Sequence, residues 1–285
     1  MLSYRKLAMR VLGRPLHTGG NDSPRPASQR AAAFILTAAM LTTLAAPAFA
    51  DTWCIENGNI TVKAGDTEGT NKVSQGSIID REDTNTIITN SDKDTASSNT
   101  VTIDAGNDKV EVTLDNVNIK AGSGSALTSK GDVTLTLKGD NHLTGGISDT
   151  GNYGRNGIAS TGSLTISGGS TVTANGGNGG NVSGDGISSN GSVTISGGTV
   201  KAAGGDSKDG YGGDGIRSDG GVTISGNTVN AAGGSGGKVG GYGICSFDRV
   251  AISGGTVTAN GGDGSSGGDG IRSGDIDLSG SLELT

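Results

Sequence analysis

Three aspartates stand at one recurring place. Asp185, Asp214 and Asp269 each precede a Gly-Ile pair, and Asn156 and Tyr242 hold the same place before Gly157-Ile158 and Gly243-Ile244. If the units that carry them stack, Asp185 and Asp214 lie one layer apart, about 4.8 Å. Two carboxylates that close repel unless a cation bridges them. Calcium takes oxygen ligands, including backbone carbonyls of the kind that glycine loops expose. The column is therefore a candidate calcium site, and the plainer alternative is that Asp favours turns and stays solvated. Arg217 follows its anchor in Ile-Arg-Ser, as Arg272 does. A guanidinium can hold a sugar carboxylate through two hydrogen bonds; pairing with Asp214 or Asp219 is the plainer reading. Tyr211 and Tyr242 lie in glycine-rich loops, where their rings could stack on a sugar.

Catalytic constellations are thin. Beyond residue 50 the one histidine is His142, so a Ser-His-Asp arrangement has no obvious members. A glycosidase needs two carboxylates at a set separation, and no pair among the many acids stands out. The expectation is a protein that is not an enzyme. A polysaccharide lyase is a third-ranked alternative.

The elements that must position these residues repeat. The Gly-Ile anchors at Gly157, Gly186, Gly215, Gly243 and Gly270 recur at 29, 29, 28 and 27 residues. Each is followed by a short alternating segment, such as Leu164-Thr165-Ile166, Val193-Thr194-Ile195 or Val222-Thr223-Ile224. In the four complete units a second follows: Thr171 to Ala174, Thr199 to Ala202, Thr228 to Ala231, Thr256 to Ala259. Alternation with period two gives each strand one buried face, here Ile158, Leu164, Ile166, Val172 and Ala174 and their equivalents. One such unit cannot bury its face alone, whereas stacked units can. The pattern predicts an all-β parallel solenoid of about 27–31 residues per coil, three short strands per coil, with a protruding glycine-rich loop. Residues 51–123 read as an irregular N-terminal cap and first coils, with the charge-dense 80–100 as cap or loop. Residues 124–285 read as the repeat coils, beginning with a degenerate copy at 124–146. The chain stops inside a strand pattern, which reads as a fragment or an exposed last coil.

The run Val112 to Ile119, then Val133 to Gly139 with Asn141, then the Gly-Ile and V-T-I-S-G-G units, resembles a bacterial carbohydrate-binding domain family. The resemblance covers roughly 100–280. It implies a right-handed parallel β-helix, secretion or surface attachment, calcium, and binding of acidic polysaccharide such as polygalacturonate. Adhesins and autotransporter passengers share the periodicity, so a structural stalk without its own ligand site is the alternative.

Residues 1–50 differ from the rest. Arg5, Lys6, Arg10, Arg14, Arg25 and Arg30 precede an apolar stretch from Ala31 to Ala46, which ends in Ala48-Phe49-Ala50. Basic region, apolar region and small-x-small site together read as a secretory signal cleaved after Ala50. The apolar stretch is shorter than the ~20 residues a membrane span needs, so no membrane insertion is expected after cleavage. Of 21 basic and 28 acidic residues this segment holds six and one, leaving 15 and 27, a net charge of −12. That surface repels nucleic acid and anionic lipid and suits a cation or a neutral partner. Composition agrees with the repeat. With 55 Gly and 3% aromatics, a packed aromatic core or helical bundle is excluded. Cys54 and Cys245 fall at opposite ends of the solenoid, beyond the ~7 Å that a disulfide tolerates.

Overall fold

The structure is a computed structural model and describes residues 51–284. The predicted signal at 1–50 lies outside the described residues. The chain is a parallel β-helix of about seven turns. Three parallel ladders run along it. The first joins Ile158–Ser160, Ile187–Ser189, Ile216–Ser218, Ile244–Ser246 and Ile271–Arg272, with the anchor isoleucines in register from Ile158 to Ile271. The second joins Leu164–Gly168, Val193–Ile195 and Val222–Ile224, then continues into Arg249–Asn260 and Asp275–Leu284. The third joins Thr171–Asn175, Thr199–Ala203 and Asn227–Ala232 and meets the far half of Arg249–Asn260. The longer strands Val101–Asp115 and Leu127–Lys138 extend the first two ladders towards the N-terminus.

The alternation does what its period requires. Ile158, Leu164, Ile166, Val172 and Ala174 are all fully buried, as are Ile187, Val193, Ile195 and Val200 one coil on. These side chains form one continuous apolar core along the axis. Small β-branched residues suffice because each coil meets its own copy at the strand spacing of ~4.8 Å. The corner between the second and third ladders is turned by Gly168, Gly198, Gly226 and Gly254 at φ of 97°, 75°, 72° and 88°. A side chain there would be forced into the left-handed region.

The N-terminal end differs from the coils. Ile60–Ala64, Asn71–Gln75 and Ile78–Asp83 form an antiparallel meander, and Ile60–Ala64 also pairs in parallel with the first full coil. The meander covers the open strand edge that a solenoid otherwise presents. Trp53, 4% exposed, packs under it. The capping strands thus span 60–83 and take in the start of the charge-dense 80–100, whose remainder is mostly turns around the short strand Ile87–Thr89. Cys54 is half-buried, Cys245 is buried, and both are free thiols.

Candidate functional site

The aspartate column is a ladder of side chain to backbone hydrogen bonds. Asn156 Oδ1 accepts the Asp185 amide at 2.8 Å. Asp185 Oδ1 accepts the Asp214 amide at 2.8 Å, and Asp214 Oδ1 accepts the Tyr242 amide at 2.7 Å. Each residue precedes the Gly-Ile anchor, so the strand register aligns its side chain with the same amide one coil on. Burial raises the Asp185 pKa to about 6, helped by the neighbouring Asp214 charge. Burial also raises that of Asp214, against the amide of Tyr242 and the charge of Arg217. Asp269 stands apart. It is exposed, and Tyr242 separates it from Asp214, so the two lie about 10 Å apart. Among the described residues no three His, Cys, Asp or Glu side chains gather as a metal would need. The Oδ1 atoms of Asn156, Asp185 and Asp214 are each engaged by an amide one coil on, and Asp214 Oδ2 faces Arg217.

The arginines sit one ladder step away. Ser188, Arg217, Cys245 and Arg272 are register partners in successive coils. Arg217 Nη1 lies 3.5 Å from Asp214 Oδ2, and its guanidinium lies 4.9 Å from the centre of the Phe247 ring. Arg272 lies 4.9 Å from the centre of the Tyr242 ring and donates to the Tyr242 hydroxyl. The plainer expectation for Arg217, pairing with Asp214, holds. Burial, then the Asp214 charge, pushes the Cys245 thiol up, so it stays protonated.

The glycine-rich loops are ordered, which their composition did not reveal. Their bases form a single file of hydrogen-bonded peptides. Gly177 donates to Arg155, Gly184 to Gly177, Gly205 to Gly184 and Gly213 to Gly205. The file continues through Gly234, Gly241, Gly262 and Gly268, with distances of 2.7–2.9 Å throughout. Each coil adds two strands of chain to this file, one leaving the solenoid and one returning. A Cβ at Gly184, Gly213 or Gly241 would overlap the carbonyl of the preceding layer. Only glycine permits that approach.

Beyond this neck the loops carry two more ladders of parallel bridges. One runs Gly179, Ser207, Gly236; the other runs Tyr153, Val182, Tyr211, Val239, Ser266. Tyr153 and Tyr211 are 51% and 50% exposed, and Val182 between them is 40% exposed. The Lys238 ammonium lies 6.0 Å from the Tyr211 ring centre. Nearby, Asn178, Asp206, Ser207, Lys208 and Ser235 line an open groove of about 440 Å³. Asn178 and Asp206 repeat the capping device, accepting the amides of Asp206 and Ser235 at 2.9 and 2.7 Å. Tyr211 therefore belongs to this crest, whereas Tyr242 and Arg217 belong to the aspartate column. A larger cleft, about 700 Å³, lies near the N-terminal cap. Its walls carry Asp66, Glu68, Asp108, Glu111 and Asp132 against Lys109, a field that disfavours an anionic polymer.

A serine column went unread in the sequence, although the fourth residue of each Gly-Ile-x-Ser shows it. Ser160, Ser189, Ser218 and Ser246 are buried, and each hydroxyl donates to a turn carbonyl: Gly162 for the first two, then Gly191 and Gly220.

Compared with models of protein families, with curated proteins and with solved structures, the chain matches none.

Proposed function

We propose that this chain is an exported carbohydrate-binding β-solenoid that holds an extended polysaccharide along the crest of its loops. The observation that carries the reading is the in-register crest ladder, with half-exposed Tyr153 and Tyr211 two coils apart and Val182 between them. Two coils span about 10 Å. One coil is comparable to one pyranose ring along an extended chain, so successive tyrosines meet alternate rings of the polymer. Aromatic faces stack on the C–H faces of sugars, and the polar groove residues Asn178, Asp206 and Lys208 offer partners for hydroxyls. The net charge of −12 beyond residue 50 favours a neutral glycan over a polyuronate.

A second reading has its own observation. Asp185 and Asp214 are engaged by backbone amides and Arg217 by Asp214, which suits a spacer stalk whose repeated columns serve stacking alone. The experiment that separates the two is thermal unfolding of the exported chain with neutral β-linked oligosaccharides and with polygalacturonate. Calcium and EDTA arms are included because the family resemblance implies that ion. A ligand bound only by the folded state raises the midpoint. A rise that Tyr153→Ala with Tyr211→Ala removes supports crest binding; no rise in any arm leaves the stalk.

A further inference from the structure

Asp83 is a fully buried carboxylate at the N-terminal cap. Its Oδ2 accepts the Trp53 indole N–H at 2.8 Å. Its Oδ1 accepts the amides of Asn85 at 3.0 Å and Asp51 at 3.2 Å. Among the described residues no Lys, Arg or His pairs with it. A buried carboxylate satisfied by neutral donors alone is expensive, and a cation partner relieves that cost.

The nitrogen of Asp51 is the atom that follows the Ala48-Phe49-Ala50 site. We infer that the Ala50–Asp51 bond is a processing site and that the α-ammonium it releases is the counter-ion of Asp83. Hydrolysis by a signal peptidase adds water across that bond. Ala50 leaves with the carboxylate, and the Asp51 amine takes up a proton. The nitrogen that now donates as a neutral amide then carries a full charge 3.2 Å from Asp83 Oδ1. The surroundings hold it there. Asp51 Oδ2 lies 2.9 Å from Arg81 Nε, and the Asp51 carbonyl accepts the Ile87 amide at 3.2 Å. Processing thereby completes the cap: the leader's removal stabilises the mature solenoid through the residue it exposes. The inference rests on the export reading above and adds the site's structural consequence.

The test uses the full chain exported by a bacterial host with its own leader. The intact mass of the exported product reports the bond cut. Competitive acetylation, read by mass spectrometry, then reports the Asp51 amine at neutral pH. A free α-amine titrates near 7.7–8.0. Paired with Asp83 it titrates well above that range, so its labelling at pH 7 is slowed about tenfold or more against the urea-unfolded chain. Asp83→Asn restores the ordinary rate. If that variant is not exported, the wild-type labelling rate decides alone. A product cut at another bond overturns the processing site. The right mass with an ordinary labelling rate overturns the ion pair while leaving export intact.

Discussion

The Oδ1 atom of Asp185 accepts the backbone N–H of Asp214, the residue at the same place one coil later, at 2.8 Å. Asn156 makes the same bond to Asp185 with a neutral oxygen. The geometry therefore needs the acceptor and not the charge. The charge is a liability, because burial and Asp214 raise the Asp185 pKa to about 6 from the ordinary carboxylate value of 3.8. The folded state holds the proton more tightly than the unfolded state. The stability associated with it is full below about pH 4 and is lost as pH rises through about 6, on the order of 2–3 kcal/mol. Asp185→Asn should keep the amide bond, raise stability at pH 7 by about 1–3 kcal/mol and flatten the profile between pH 4 and 6. Urea midpoints across that range check it; a loss of stability at pH 7 would show that the charge is used.

The glycine file makes the loops sensitive where composition alone suggests tolerance. A methyl at Gly213 meets the carbonyl of Gly184, and both belong to the backbone, so no side chain can give way. Gly213→Ala should cost about 3 kcal/mol or more, at the upper end of overpacking. Gly169 has no atom near an added Cβ and no left-handed φ. Gly169→Ala should be neutral, or stabilising by up to about 1 kcal/mol through the unfolded chain. Equal effects at the two positions would mean that the neck does not hold its close approach in solution.

The serine column separates a made hydrogen bond from a missing one. Ser218, fully buried, donates to the Gly191 carbonyl at 2.7 Å. Ser129 is its counterpart nearer the cap, and its buried hydroxyl has no partner among the described residues. Ser218→Ala should cost about 1–2 kcal/mol, whereas Ser129→Ala should be neutral or stabilising, because it removes an unsatisfied group. Chemical denaturation of the two variants decides it, and a destabilised Ser129→Ala would show that the hydroxyl finds a partner.

The fold was legible because its signal lies in side chains that recur in phase. Ile158, Ile187, Ile216, Ile244 and Ile271 stand in register as their spacing predicted. The alternation in Leu164-Thr165-Ile166 put the right residues inside. Strand direction was not legible at Ile60–Gln75, since alternation fixes a strand's faces and says nothing of whether its neighbour runs parallel. The loop ladders were hidden for a different reason. Glycine has no side chain to pattern, so Gly177, Gly184 and Gly205 look like a flexible linker although their amides form one continuous file. In the candidate site, the spacing put Asp185 and Asp214 at the same place of successive coils, and they stand there. What spacing could not tell was that an amide one coil on would meet each carboxylate, or that Tyr211 would sit on the crest and Tyr242 beside Asp214.

The crest is the part of the surface where a loss of binding can be separated from a loss of fold. Tyr153 and Tyr211 are half exposed and stand outside the apolar core. Their substitution by Ala should shift the unfolding midpoint little, as exposed positions change stability by about 0.5 kcal/mol or less. Each ring stacked on a sugar contributes about 0.5–1.5 kcal/mol, so each single substitution should weaken glycan binding about two- to tenfold. The double substitution should multiply the two factors if both rings hold one chain without direct contact, since they lie two coils apart with Val182 between. Tyr242→Ala serves as the contrast. Its ring carries the Arg272 guanidinium beside the aspartate column, so its removal should lower stability and leave crest binding unchanged. Calorimetric titration with neutral oligosaccharides of increasing length checks the arrangement. Affinity should climb until the sugar spans both tyrosines and then level off. If Tyr242→Ala abolishes binding while the crest variants retain it, the ligand lies along the aspartate column instead.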